Sequence, residues 1–109
     1  MKQTLARALW LKHKEDFTRV FDTGTKFQHK RIAARMVDSS TARVGCAVSS
    51  RYGSSVQRNR FKRRVRAVFR QRYQQLPCID LVITPRHGRG EIPYREIEEF
   101  FSEIIDRHQ

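Results

Sequence analysis

The sequence predicts one small α+β domain over residues 1–109, with elements in the rough order α-β-β-(β)-α-β-α once a short extra strand near Lys26 and Phe27 is counted. Three observations predict it. A chain of 109 residues suits one compact domain, since domains commonly run from about 50 to 250 residues. Apolar spacing changes along the chain between a helical period and strand alternation. Breaker residues, among them Gly24, Gly53, Pro77 and Pro93, fall where that spacing changes. No internal repeat, low-complexity tract or linker interrupts the pattern.

In residues 15–22, Phe17, Val20 and Phe21 stand at i, i+3 and i+4, one face of a helix, and Gly24 follows as a stop. Residues 26–37 are extended in character, with Ile32, Ala34 and Met36 alternating with Ala33, Arg35 and Val37. A turn at 38–41 leads into 43–49, where Val44, Cys46 and Val48 alternate with Gly45, Ala47 and Ser49. These two segments are expected to pair as an antiparallel hairpin. The main helix follows Gly53, with Ser54 placed to cap it by accepting a hydrogen bond from a first-turn amide. Its apolar positions, Phe61, Val65, Val68, Phe69 and Leu76, fall within roughly 100° of arc at ~100° per residue. Arg63, Arg66 and Arg70 lie near the opposite pole, Arg60 and Lys62 on the flanks, and Pro77 ends the helix. Residues 79–84 form a β-branched run that reads as a buried strand, and the loop 85–90 carries Arg86, His87 and Arg89. Pro93 suits the first turn of a last helix whose core stripe is Ile97, Phe100, Phe101, Ile104 and Ile105.

Charge is large and uneven. The chain holds 23 Lys and Arg against 11 Asp and Glu, a formal net charge of +12 with a pI near 10.9, which points to a polyanionic partner. Between Asp38 and Asp80 there is no acidic residue, while eight basic ones fall between Arg58 and Arg72. The stretch from Glu91 to Asp106 is the reverse, with six acidic residues and one arginine. Arginine outnumbers lysine 17 to 6, and guanidinium forks suit phosphate and base-edge recognition. No apolar run approaches the ~18 residues of a membrane span. Leu9, Trp10 and Leu11 form a cluster too short for a signal-peptide core, so a cytoplasmic location is expected. Cys46 and Cys78 have neither CxxC spacing nor a metal-ligand pattern and read as small buried apolar residues.

Like charges at i,i+4 repel by a few tenths of a kcal/mol per pair, so the arginine run opposes its own helix. A solvated face over a well-packed core is one explanation and nucleic-acid contact the other. A helix making five or six phosphate contacts would lose affinity as about the fourth or fifth power of salt. Hydrolysis by the protein would need a carboxylate cluster for a metal or a histidine base aimed at a phosphate. The basic half carries no carboxylate. Glu96, Glu99 and Glu103 share a helix face but read as solvated surface; His13, His29 and His108 stand apart, and only His87 lies in a basic loop. No catalytic residue and no metal ligand is assigned. Phe17 and Phe21, one turn apart, are either core or part of a stacking surface for unpaired bases.

The stretch 43–69, RVGCAVSSRYGSSVQRNRFKRRVRAVF, resembles the signature of the bacterial ribonuclease P protein family: a strand of the type RVG-x-x-V, a basic turn ending in Gly, and a helix bearing RNR-x-KR-x-x-R. Arg58, Asn59, Arg60, Lys62, Arg63 and Arg66 match it residue for residue. Asp16, Phe17, Val20, Phe21 and Gly24, and later Ile83, Pro85 and Arg86, extend the likeness over nearly the whole chain. The resemblance implies a small α/β sandwich with a left-handed β-α-β crossover around the basic helix. It implies a subunit that joins ribonuclease P RNA to remove the 5′ leader from precursor tRNA, with Mg²⁺-dependent hydrolysis done by the RNA. By the same likeness Arg58, Asn59, Arg60, Lys62, Arg63, Arg66 and Arg70 would contact the catalytic RNA. A cleft between sheet and first helix, drawing on Phe17, Phe21, Arg51 and Arg86, would hold the leader.

Three other readings compete with this one, among them a protein-only nuclease, which replacing His87 and the C-terminal glutamates would test. A small basic ribosomal protein shares the composition but not the RNR helix motif. A helix-turn-helix regulator would need a helix where the strand-like residues 43–49 stand.

Overall fold

The protein, seen in a computed structural model, is described over residues 9–86 and 90–108. His87 and Arg89 of the expected basic loop lie outside the described residues. Helix α1 spans Lys14–Thr23, followed by strands β1 (Thr25–His29), β2 (Ile32–Asp38) and β3 (Arg43–Cys46). Helix α2 is Ser55–Arg72, strand β4 Ile79–Pro85 and helix α3 Tyr94–Arg107. The expected α-β-β-β-α-β-α order is present, with β1 as the short strand near Lys26 and Phe27.

The four strands lie in the order β1-β2-β4-β3. The antiparallel hairpin is β1 with β2, from Thr25 opposite Met36 to His29 opposite Ile32, and not the expected pairing of β2 with β3. Strand β4 runs between those two, antiparallel to β2 and parallel to β3. The reason lies in burial: Ile79 through Ile83 are all buried, so β4 needs cover on both faces and takes a central place. The turn of the real hairpin carries no Asn-Gly signal; it is closed by Lys30 with φ 54°, a left-handed conformation uncommon for a residue with a Cβ. Parallel β3 and β4, joined through α2, make the β-α-β unit.

Alternation along each strand sends side chains to opposite faces. Ile32, Ala34, Val44, Leu81 and Ile83 meet Phe61, Val65 and Phe69 of α2 and Phe100, Phe101 and Ile104 of α3 in the main core. The rings of Phe100 and Phe101 meet edge to face with centroids 5.6 Å apart, and Phe27 reaches Phe100 at 5.5 Å. Fully burying a phenylalanine contributes about 1.5–3 kcal/mol, so these rings anchor both helices to the sheet. The other face carries a smaller cluster under α1, where Leu11, Val20 and Val82 are buried and Phe17 packs against them. Gly45 is required there: a Cβ at that position would stand 2.8 Å from the Phe17 ring and 2.9 Å from Leu11.

Ser54 caps α2 as expected, within a full capping box: its hydroxyl accepts from the Gln57 amide, and the Gln57 side chain accepts from the Ser54 amide. The helix is shorter than expected, ending at Arg72 and tightening into a 3-10 turn at Tyr73–Gln75. Proline at 77 disfavours helical backbone at Leu76, which is extended there with ψ 149°. The stripe expected for α3 is buried in full. Among the described residues no helix is long and apolar enough to cross a membrane.

Candidate nucleic-acid interface

Helix α2 buries Phe61, Val65, Val68 and Phe69, which sets the direction of every charged residue on it. Asn59, Arg63, Arg66 and Arg70 are exposed and form a continuous outer stripe, with Lys62 half-exposed beside it. Among the described residues no carboxylate lies within ion-pairing distance of Lys62, Arg63, Arg66 or Arg70. The guanidinium of Arg66 stacks over Trp10, 4.5 Å from the ring centroid. Trp10 is held there because the N-terminal segment joins the β3 edge through a bridge to Val44, with the Leu11 amide donating to the Val44 carbonyl at 2.8 Å. Trp10 and Leu11 thereby pair with the β3 edge at Val44 and fix one arginine of the stripe.

The opposite flank of α2 is occupied internally. Arg60 pairs with Glu91. Arg64 donates to the Ile92 carbonyl at 2.8 Å and lies 5.5 Å from the centroid of the Tyr94 ring, and Arg72 donates to the Ser102 hydroxyl at 3.0 Å. Arg58, at the first turns, donates to the Gly53 carbonyl and the Ser55 hydroxyl. The residues expected to meet RNA therefore divide: Asn59, Lys62, Arg63, Arg66 and Arg70 face out, while Arg58 and Arg60 are engaged within the fold.

A second feature lies on the α1 face of the sheet, where α1 leaves part of β1 and β2 uncovered. A groove of about 440 Å³ is lined there by Phe21, Lys26, Gln28, Ala33, Arg35 and Thr84, with Phe27 and Ala34 beneath. Phe21 is 37% exposed. Lys26 and Arg35 stand directly opposite across the β1–β2 pair, a like-charge pairing that is unfavourable on its own. Arg35 also donates to the Phe21 carbonyl at 3.0 Å, which satisfies a C-terminal carbonyl of α1 and brings a positive charge to that end of the helix. Phe17 is half-buried packing beneath α1 rather than groove lining. Arg51 and Arg86 are exposed and are not among the groove's lining residues. Sequence reasoning missed Lys26, Gln28 and Thr84; strand alternation would have placed Lys26 and Gln28 on the Arg35 face had β1 been paired with β2.

The same face holds a buried charge network. Asp80 is wholly buried and accepts from Arg43 at 2.8 and 2.6 Å and from Arg19, which also pairs with Asp16 at 3.3 Å. Burial alone would raise the Asp80 pKa, but hydrogen bonds from Arg43 and Arg19 outweigh it and hold the carboxyl below its ordinary value. Those bonds raise both arginines further, so the network stays ionised.

The acidic flank of α3 is not the solvated surface expected for Glu96 and Glu99. Glu96 accepts from the Arg31 backbone amide at 3.0 Å and from its guanidinium at 3.1 Å. Glu99 accepts from Lys30 at 2.7 Å, with His29 at 3.6 Å, and the Lys30 contact holds its carboxyl below the ordinary range. Among the described residues Glu103 reaches only Arg107, at 3.8 Å. The β1–β2 turn is thus tied to α3 by ion pairs. Of the cysteines, Cys78 is exposed rather than buried, because it sits in the turn entering β4. Cys46 is half-buried; burial pushes its thiol to about 12 against the pull of Lys62 and Arg66. Among the described residues no three His, Cys, Asp or Glu side chains gather to hold a metal ion.

The arrangement offers an arginine stripe for a polyanion and, on another face, a groove with one aromatic ring and two opposed cations. Comparison with known proteins adds independent findings. The ribonuclease P family model matches residues 5–109. The ribonuclease P protein component of Streptococcus gordonii is 34% identical over 97 residues, covering 87% of this chain and 82% of that protein. The ribonuclease P protein component of Chlamydia trachomatis serovar L2 is 34% identical over 107 residues, covering 95% and 86%. A solved RNase P protein from Thermotoga maritima, in complex with 1-(4-fluorophenyl)-2-thiourea, superposes with a TM-score of 0.78 at 25% identity, covering 89% and 97%. A Staphylococcus aureus RNase P protein mutant with defective mRNA degradation activity shares the fold, with a TM-score of 0.81 at 20% identity over 94% and 89%.

Proposed function

The chain belongs to the ribonuclease P protein family, and from that premise we propose that it is the subunit that binds the catalytic RNA and the 5′ leader of precursor tRNA. The observation that carries the reading is the outer stripe of α2. Among the described residues Arg63, Arg66 and Arg70 stand on one helical face with no internal carboxylate, while the other buried and half-buried arginines have partners within the fold.

Each unpaired guanidinium takes two phosphate oxygens at once. Docking on the catalytic RNA releases counterions, giving a steep dependence on salt. Arg66 is pre-oriented by Trp10, so less rotamer freedom is lost when it binds. The groove on the α1 face takes the single-stranded leader: Phe21 stacks on an unpaired base, and a phosphate between Lys26 and Arg35 relieves their mutual repulsion. Arg51 and Arg86, exposed and free of acidic partners among the described residues, extend the positive surface for precursor tRNA. On this reading the Mg²⁺ that hydrolysis requires acts with the RNA, which carries out the chemistry. The setting is the cytoplasm, where precursor tRNA is made.

Cleavage of precursor tRNA at low Mg²⁺ tests the reading with three samples: the protein, a bacterial ribonuclease P RNA, and the two mixed. Cleavage only in the mixture is expected. A folded protein that fails to rescue a competent RNA would move the function to a ribosomal or other RNA-binding role, and cleavage by the protein alone would place the chemistry in the chain.

A further inference from the structure

Resting on that RNA-binding reading, we propose that Glu91 is a specificity-determining residue: it holds Arg60 as a built-in counter-anion, so that Arg60 adds to RNA binding only where a phosphate displaces it. The stretch that contains α2 has no acidic residue of its own from 39 to 79. Any carboxylate that neutralises α2 must come from elsewhere in the chain, and among the described residues only Glu91 does so.

Its position is built. Gly90 turns the backbone with φ 69°, and Ile92 is fully buried. The Ile92 amide donates to the Tyr52 hydroxyl at 3.0 Å, and its carbonyl accepts from Arg64 at 2.8 Å. Glu91, between these anchors, directs Oε2 at Arg60 Nη1. Its Oε1 is buried 4.0 Å from Arg64 Nη1 and accepts no hydrogen bond.

The pair is also exchangeable. The Arg60 side chain remains 37% exposed, and ion pairs open to water are weak. Asn59 and Arg63 flank Arg60 and face out, so a phosphate on Arg63 lies one helical turn from the Arg60 guanidinium. A phosphate aligned to accept two hydrogen bonds replaces the carboxylate. One that is misplaced gains nothing from Arg60 and is repelled by Glu91, which penalises wrong partners more than the right one.

Binding of the whole protein to ribonuclease P RNA and to an unrelated structured RNA of equal length, followed across a salt series, tests this. For Glu91→Gln the unrelated RNA is expected to bind about threefold to tenfold tighter, with the salt slope steeper by about 0.9; the preference for ribonuclease P RNA shrinks. Adding Arg60→Gln to that variant returns the slope to its starting value. Arg60→Gln alone leaves the slope on unrelated RNA unchanged, and this variant decides the matter even if Glu91→Gln folds poorly. Unchanged or weaker binding by Glu91→Gln, or a shallower slope for Arg60→Gln alone, would overturn the role of Glu91. Arg63→Ala separates the two claims: if it weakens binding while Glu91→Gln changes nothing, only the Glu91 proposal falls. If neither RNA responds to Arg63→Ala, the RNA-binding reading falls and takes the proposal with it.

Discussion

Helices α2 and α3 carry opposite charge and pack against each other on one face of the sheet, yet they use that charge differently. On α3 two of the carboxylates are tied back to the sheet: Glu96 and Glu99 close on Arg31 and Lys30 of the β1–β2 turn. On α2, among the described residues, only the flank nearest α3 is treated this way, through Arg60, Arg64 and Arg72, and the outer stripe of Arg63, Arg66 and Arg70 has no such partner. Charge excess therefore says little about where a polyanion docks, whereas charge left unpaired by the fold says a great deal. Each charged group in the molecule can be ranked by how fully the fold consumes it.

The most consumed group is Asp80, and its loss should be the largest effect. Asp80→Asn leaves two arginines without their shared anion and is expected to destabilise the protein by about 2–3 kcal/mol, below the ~3–5 of a fully buried pair because Arg19 and Arg43 stay 40% and 29% exposed. The folded-state pKa of Asp80 lies below its ordinary value. The contribution is thus complete above about pH 4–5 and is lost as pH falls through the folded pKa. Urea unfolding of both proteins at pH 7 and near pH 3 checks this: the gap should be wider at pH 7 than in acid. A gap that widens in acid would contradict the assigned ionisation.

Arg63→Ala probes the other extreme. Affinity for ribonuclease P RNA is expected to fall by ~1–3 kcal/mol, the range for a charge-assisted contact, with the melting temperature unchanged. Arg63 has no partner among the described residues, so a loss of stability without a loss of affinity would move it from the outer stripe into the consumed class.

Glu96→Gln should give the reverse pattern on a smaller scale. The carboxylate accepts two bonds from Arg31 and its side chain is 11% exposed, so roughly 1–2 kcal/mol of stability is expected to go. RNA affinity should hold. Weaker RNA binding at full stability would place α3 in the interface.

These contrasts also explain what could be read in advance. Helix periodicity exposed the core stripes of α2 and α3 and the direction of Arg63, Arg66 and Arg70, because local spacing sets which way a helical side chain points. Strand order was not legible: β2 and β3 alternate well enough to pair, and only the continuous burial of Ile79–Ile83 argues that β4 lies between them. The true hairpin hid behind Lys30, whose left-handed backbone no turn motif announces. The groove depends on that hairpin and was half seen, through Phe21. Long-range pairings such as Glu91 with Arg60 and Trp10 with Arg66 leave no local trace, since residues 31 and 56 positions apart meet only when the sheet and helices assemble.

The least consumed pair on α3 sets the floor of the scale. Glu103 and Arg107 stand at i,i+4, 3.8 Å apart and 44% and 65% exposed. Such pairs contribute about 0.3–0.5 kcal/mol and are screened by salt. Glu103→Gln is expected to lower stability by no more than that at low salt, to have no effect at 0.5 M salt, and to leave RNA affinity unchanged. The comparison sharpens if Arg107, which also lies 5.1 Å from the Phe27 ring centroid, keeps its place through that stacking. Arg107→Ala should then cost more than Glu103→Gln, and the excess should survive high salt, because a contact with a ring face is less screened than an exposed ion pair. Equal and equally salt-sensitive losses would show that the ion pair alone holds Arg107.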